Sequence, residues 1–188
     1  MAEFWLGCSP ITWRRQAPLE QILTEIASVG YVGAPAGYRD GLNPDEVRST
    51  YARFGLRPAP GYLGARFYDA AKRNEILDQA RRHAEFARAL GCTEIFVAAD
   101  CFAERFAVAG HETANRSDQL SADGYQAMAD TLNEVGRICR EYGVLACFHN
   151  HAGSYIETRD EFDRLLELTD PTLVFIGLDT GHLRFGGG

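Results

Sequence analysis

The residues of this chain best suited to chemistry gather near its C-terminal end. His149-Asn150-His151 closes one apolar run, Glu157 follows shortly after, and Asp179-Thr180-Gly181-His182 closes the next run. Side chains alternate along a strand, so His149 and His151 point to one side, and Cys147 shares it. Carboxylates and imidazoles converging from neighbouring strand ends are the donors that a hard or borderline divalent cation takes. Such a cation polarises a carbonyl or hydroxyl and stabilises the enediolate left when the adjacent proton is removed. Each residue also has a plainer use. Asp179 can cap a loop or helix, and Glu157 can be a solvated acid at a helix start, where the dipole favours it. His83, mid-helix beside Arg81 and Arg82, reads as structural or surface, and His111 stays undecided.

The elements that must carry these residues alternate regularly. Phe4-Trp5-Leu6-Gly7-Cys8 reads as a first strand, and Leu19, Ile22, Leu23, Ile26 and Val29 follow at helical spacing. A short second strand at Tyr31-Val32-Gly33-Ala34 precedes a helix opened by Asn43-Pro44, an N-cap with proline at the first helical position. A third strand falls at 57–62, weakened by Pro58 and Pro60. Asp69 can cap a long helix with Ile76, Leu77, Ala80, Ala84, Ala87 and Leu90 on one face. Thr93 through Ala99 is the clearest strand. Ser121 starts a helix that turns Tyr125, Met128, Leu132, Val135 and Cys139 to the core. A fifth strand runs over 144–148, Thr158-Arg159-Asp160-Glu161 is a capping box, and a sixth strand spans 173–178.

Near-continuous apolar strands between amphipathic helices imply α/β architecture with a parallel sheet covered on its faces. An open doubly wound sheet and a (β/α)8 TIM barrel compete. The glycine-rich fingerprint of a dinucleotide fold is missing after the first strand. A barrel needs eight rounds and about 250 residues, whereas this chain has 188 and ends just after its sixth strand. In either architecture the site lies on loops at the C-terminal ends of the strands. Ser9, Thr12 and Trp13, then Tyr38, Arg39 and Asp40, then Asp100, Glu104, His111 and Glu112 fall on such loops. The last loop is long enough to act as a lid, and its Phe102, Phe106 and Val108 predict that it packs.

Composition narrows the classes. A hydrophobic content of 46% with 24% charge is that of a globular chain. A net charge of −7 lacks the basic footprint of a nucleic-acid binder. No apolar run reaches the roughly 20 residues of a membrane helix, and Met1-Ala2-Glu3-Phe4-Trp5 does not open like a signal peptide. Cys8, Cys92, Cys101, Cys139 and Cys147 are odd in number and scattered, which fits reduced core thiols and a cytoplasmic protein.

Five segments give the chain a family resemblance: Ser9-Pro10-Ile11-Thr12-Trp13, Gly30-Tyr31-Val32-Gly33, Gly55-Leu56-Arg57-Pro58, His149 through Ser154 with Glu157-Thr158, and Leu178 through His182. It resembles the sugar phosphate isomerase/epimerase superfamily of xylose isomerase-like barrels, with its nearest likeness to inosose (2-keto-myo-inositol) dehydratases. The resemblance implies one TIM-barrel domain over 1–188, truncated after the sixth strand. It implies a divalent metal, Mn²⁺, Co²⁺, Mg²⁺ or Zn²⁺, with Asp179 and Glu157 as ligands. His149, His151 and Glu157 would be catalytic, and Trp13, Asn150, His151 and His182 would bind substrate. Family members take a further histidine and glutamate from their seventh and eighth strands. Many also carry a glutamate where this chain has Ala34-Pro35-Ala36-Gly37, so its substrate is expected to differ from inosose.

The function expected is isomerisation, epimerisation or dehydration of a sugar or cyclitol, through removal of a proton beside a carbonyl. Two alternatives stand beside it: a truncated and inactive barrel fragment, and an endonuclease IV-like phosphodiesterase, which the net charge disfavours. Open strand edges favour self-association into a homo-oligomer.

Overall fold

The computed structural model describes residues 5–13, 16–110 and 119–187. Phe4, His111 and Glu112 lie outside the described residues. The strands are β1 (Gly33–Pro35), β2 (Arg57–Ala59), β3 (Tyr62–Ala65), β4 (Glu94–Ala99), β5 (Leu145–Phe148) and β6 (Val174–Ile176). They pair only in parallel, β1 with β2 and then β3-β4-β5-β6 in order. Gly7 joins Gly33 in a single parallel bridge, with Val32 N–H donating to the Leu6 carbonyl at 3.0 Å and Cys8 N–H to Gly33 at 2.9 Å. The first expected strand is thus reduced to that bridge.

The third expected strand is broken in two. Proline has no N–H to donate, and Pro58 and Pro60 leave β2 able to pair only on its β1 side. Gly61 turns the chain where a Cβ would lie 2.8 Å from the Gly37 Cα. Its carbonyl then accepts from Phe96 N–H at 2.9 Å, and β3 continues beside β4. The six strand positions therefore follow one another in chain order, the arc of a barrel.

The helices form where the spacing predicts. They are α1 (Leu19–Ser28), α2 (Pro44–Arg53), α3 (Arg73–Leu90), α4 (Ala103–Phe106), α5 (Ala122–Glu141), α6 (Arg159–Leu168) and α7 (Thr180–Phe185). Asn43 caps α2 by accepting from Asp45 N–H at 2.8 Å, and Ser121 caps α5 by accepting from Gly124 N–H at 3.1 Å. Asp69 caps a 3-10 turn, Ala70–Lys72, before α3 begins. All five residues expected to face inward on α5 are buried, as are Ile76, Ala80, Ala84, Ala87 and Leu90 on α3. Burying such a side chain is worth about 1.5–3 kcal/mol. Gly136 lets α5 come close to the sheet, since a Cβ there would lie 2.4 Å from the Leu173 carbonyl oxygen. Leu19 and Val29, by contrast, are exposed at the two ends of α1.

His83 is half-buried against the rings of Tyr38, 5.2 Å away, and its neighbours on α3. Burial, reinforced by Arg82, lowers its pKa from 6.5 to about 4. Between those values the unfolded chain binds a proton that the folded chain refuses, so stability falls as pH drops through that window. His83→Gln is expected to flatten this acid limb of urea midpoints measured from pH 7 to pH 4 and to leave stability at neutral pH little changed.

Candidate metal centre

The row Tyr62–Phe96–Cys147–Phe175 runs across β3 to β6 on one face of the sheet. The next row, Leu63–Val97–Phe148–Ile176, belongs to the other face, where Phe148 meets Phe162 of α6 at 6.1 Å. His149 continues the first row. Its N–H donates to the Val97 carbonyl at 2.8 Å, which extends β5, and its ring sits 5.6 Å from Tyr62 and 5.9 Å from Phe96.

His151 and His182 join it. Ligand nitrogens of His149, His151 and His182 lie within 4.8 Å of one another, and these three form the group with metal-ligand spacing among the described residues. The rings of His151 and His182 are 3.8 Å apart, each half-buried. Asn150 fixes the two strand ends together. Its side chain is fully buried, accepting from Asp179 N–H at 2.9 Å and donating to the Asp179 carbonyl at 3.2 Å. The expected substrate ligand is thus occupied as a clamp between the fifth and sixth strand ends.

Asp179 caps α7, accepting from the N–H of His182 at 2.7 Å. Burial raises its pKa, but the His182 backbone bond and the adjacent His182 and His149 rings outweigh that and hold the carboxyl below its usual range. Burial also lowers the pKa of His149, against the pull of Asp179, and lowers that of His182, helped by His151. Both imidazoles are therefore neutral near pH 7, with lone pairs available to a cation or a proton.

Glu157 is fully buried and so is not the solvated acid considered above. Its carboxylate accepts from Gly110 N–H at 2.7 Å and from Gly153 N–H at 2.8 Å. Gly153 has φ +80°, and a Cβ there would lie 2.6 Å from the Phe106 ring, so glycine alone fits easily. Glu157 and Asp179 border the histidines rather than sharing their mutual ligand spacing. Trp13 is directed elsewhere, its indole N–H donating to Glu25 of α1 at 2.7 Å.

Two contributors, Cys101 and Arg105, carry little sequence signal. All five cysteines are free, and Cys92 and Cys139 are buried as expected of core thiols, but Cys101 corrects that reading. Its sulfur lies 3.1 Å from His151 Nδ1, which is also 2.7 Å from the Ala152 carbonyl oxygen. Burial raises the Cys101 pKa and keeps it a thiol. Arg105 and Glu161 form a buried ion pair behind Glu157. In the described part of the loop after β4, Phe102 packs 4.7 Å from the Tyr155 ring, but Phe106 is mostly exposed and Arg105 is the buried anchor. A groove of about 440 Å³ is lined by Trp5, Pro35, Ala59, Glu94 and Phe96, among others. Among the described residues that line it, Glu94 is the one ionisable group, and Phe96, which also lines it, has its ring 5.9 Å from that of His149.

Among the described residues, no helix is long and apolar enough to cross a membrane. The chain is 30% identical over 192 residues to an inosose dehydratase of Geobacillus kaustophilus, covering 98% of this chain and 62% of that protein. It therefore spans less than two thirds of the length of that relative. Among solved structures it superposes on a sugar phosphate isomerase/epimerase of Parabacteroides distasonis with a TM-score of 0.70 at 18% identity, covering 97% of this chain and 67% of the other. It superposes on the IolI protein with a bound zinc atom with a TM-score of 0.71 at 17% identity, covering 98% and 66%. The family model for the xylose isomerase-like TIM barrel matches residues 15–188. With its parallel strands in barrel order and its site at their C-terminal ends, the chain belongs to the xylose isomerase-like TIM barrel family.

Proposed function

We propose that this chain carries the metal-binding half of a sugar or cyclitol isomerase, epimerase or dehydratase that removes a proton beside a carbonyl. The observation carrying this reading is the convergence of three imidazoles at two adjacent strand ends. Their donor set suits a borderline ion such as Zn²⁺, Co²⁺ or Mn²⁺. His149, His151 and His182 would hold it, with Asp179 and the buried Glu157 supplying negative charge beside them. Bound there, the ion would polarise a substrate carbonyl and the hydroxyl beside it.

The chain's own residues would do the rest. Glu157, held by two backbone N–H groups, is the fixed carboxylate to which an abstracted proton would pass. The Tyr62 and Phe96 rings present an apolar edge to His149 and would exclude water from its side of the site. The likeness to inosose dehydratase supports a polyhydroxylated keto substrate. The nearby Ala34-Pro35-Ala36 segment offers no carboxylate, so the substrate would differ from inosose in the hydroxyl it directs there.

The test is proton exchange. Chain loaded with Mn²⁺ or Co²⁺ and incubated with keto-sugars and keto-cyclitols in D₂O is expected to exchange an α-proton, followed by proton NMR. If none exchanges in the metal-loaded chain, the proposed chemistry is wrong for it.

A further inference from the structure

We infer that Arg105 is a positioning residue for Glu157, acting through Glu161. Arg105 lies on α4, where Ala103, Glu104 and Phe106 are exposed, yet its own side chain is 0% exposed. Its Nη2 donates to both carboxylate oxygens of Glu161 at 2.9 Å. Glu161 Oε2 also accepts from the backbone N–H of Glu157 at 3.0 Å and of Thr158 at 2.9 Å. The Glu157 carboxylate in turn accepts from Gly110 N–H, and Gly110 belongs to the same segment as Arg105. The contacts close into a ring: Arg105 to Glu161, Glu161 to the Glu157 backbone, the Glu157 carboxylate to Gly110, and the chain back to Arg105.

The capping box needs only a Glu or Gln reaching back to the N-cap amide, so it leaves the cation unexplained. Desolvating two charges makes a buried pair a poor source of net stability, while fixing one arrangement among several is its best-attested use. Here the arrangement fixed is the height of the 101–110 segment over the site. That height sets the Gly110 N–H against Glu157 and the Cys101 thiol against His151. The catalytic consequence rests on the role proposed above for Glu157. The positional claim does not.

The test uses Arg105→Met with Glu161→Gln, which removes both charges while Gln keeps an acceptor oxygen for the Glu157 and Thr158 amides. Arg105→Lys serves as the second variant, keeping the charge but losing the planar fork. Amide hydrogen exchange read by NMR reports position without metal or substrate. In the double variant the Gly110 amide is expected to exchange about 10-fold faster or more, while the Val97 and Phe148 amides keep wild-type rates. Arg105→Lys is expected to give a smaller acceleration at the same amide. Wild-type protection of Gly110 in whichever of these variants folds overturns the inference. Accelerated exchange at Gly110 in a chain whose wild type shows no α-proton exchange would sink the proposed chemistry and leave the positioning role standing.

Discussion

His182→Ala is expected to weaken Co²⁺ binding about 100-fold or more, measured by isothermal titration calorimetry. Loss of a group that merely orients a ligand already costs 10–100-fold in metal affinity, so loss of a ligand imidazole should reach at least the upper end. The variant should fold, because His182 lies on the half-exposed first turn of α7 and the cap at Asp179 uses its backbone N–H, which alanine keeps. His83→Gln, on α3 and packed against Tyr38 rather than the histidine group, should bind Co²⁺ as wild type does. Equal affinity in His182→Ala and wild type would mean that the three rings stack without serving as ligands.

The second large effect concerns Glu157. Glu157→Gln is expected to slow α-proton exchange by about 10²- to 10⁴-fold, the range for loss of a positioned general base. It should also cost stability. Both carboxylate oxygens accept a backbone N–H, from Gly110 and Gly153, and a carboxamide can satisfy only one of them. Its NH₂ would face the other donor, at a cost of about 1–3 kcal/mol for the buried group left unsatisfied. Exchange rates and thermal unfolding separate the two effects. A variant that loses stability but exchanges protons at the wild-type rate would make Glu157 a structural acid.

The helices were legible because their signals are local. Asn43-Pro44, Ser121 and the Thr158-Glu161 box sit where helices begin, and the inward faces of α3 and α5 follow the apolar spacing. Strand order was not legible from the pattern, because parallel strands between helices suit an open doubly wound sheet as well as a barrel; the family resemblance chose the barrel, whose sequential order the structure has. The break between β2 and β3 was only half legible. Pro58 and Pro60 marked trouble, but the close approach of Gly61 to Gly37 depends on a segment more than twenty residues away.

At the site, strand alternation and adjacency pointed to His149, His151 and His182 lying together, but the sequence reading gave the ligand role to Glu157 and Asp179, which do not share the histidines' mutual spacing. The partners of these groups were not legible. Asn150 reads as a substrate ligand until its amide is seen holding Asp179 across the strand ends. Cys101 and Arg105 lie some fifty residues before His151 and Glu161, and no local pattern links them. A buried arginine on a short helix with exposed neighbours looks in sequence like any solvated one, and burial is decided by how the segment folds back.

His149, His151 and His182, at the fifth and sixth strand ends, are proposed to hold one divalent ion. X-ray absorption at the cobalt edge, on chain loaded with one equivalent of Co²⁺, tests it most directly. The expected spectrum carries the multiple-scattering pattern of three imidazoles, lost in a variant with His149, His151 and His182 all replaced by alanine. A shell of oxygen ligands alone, or the same spectrum in that variant, would contradict it.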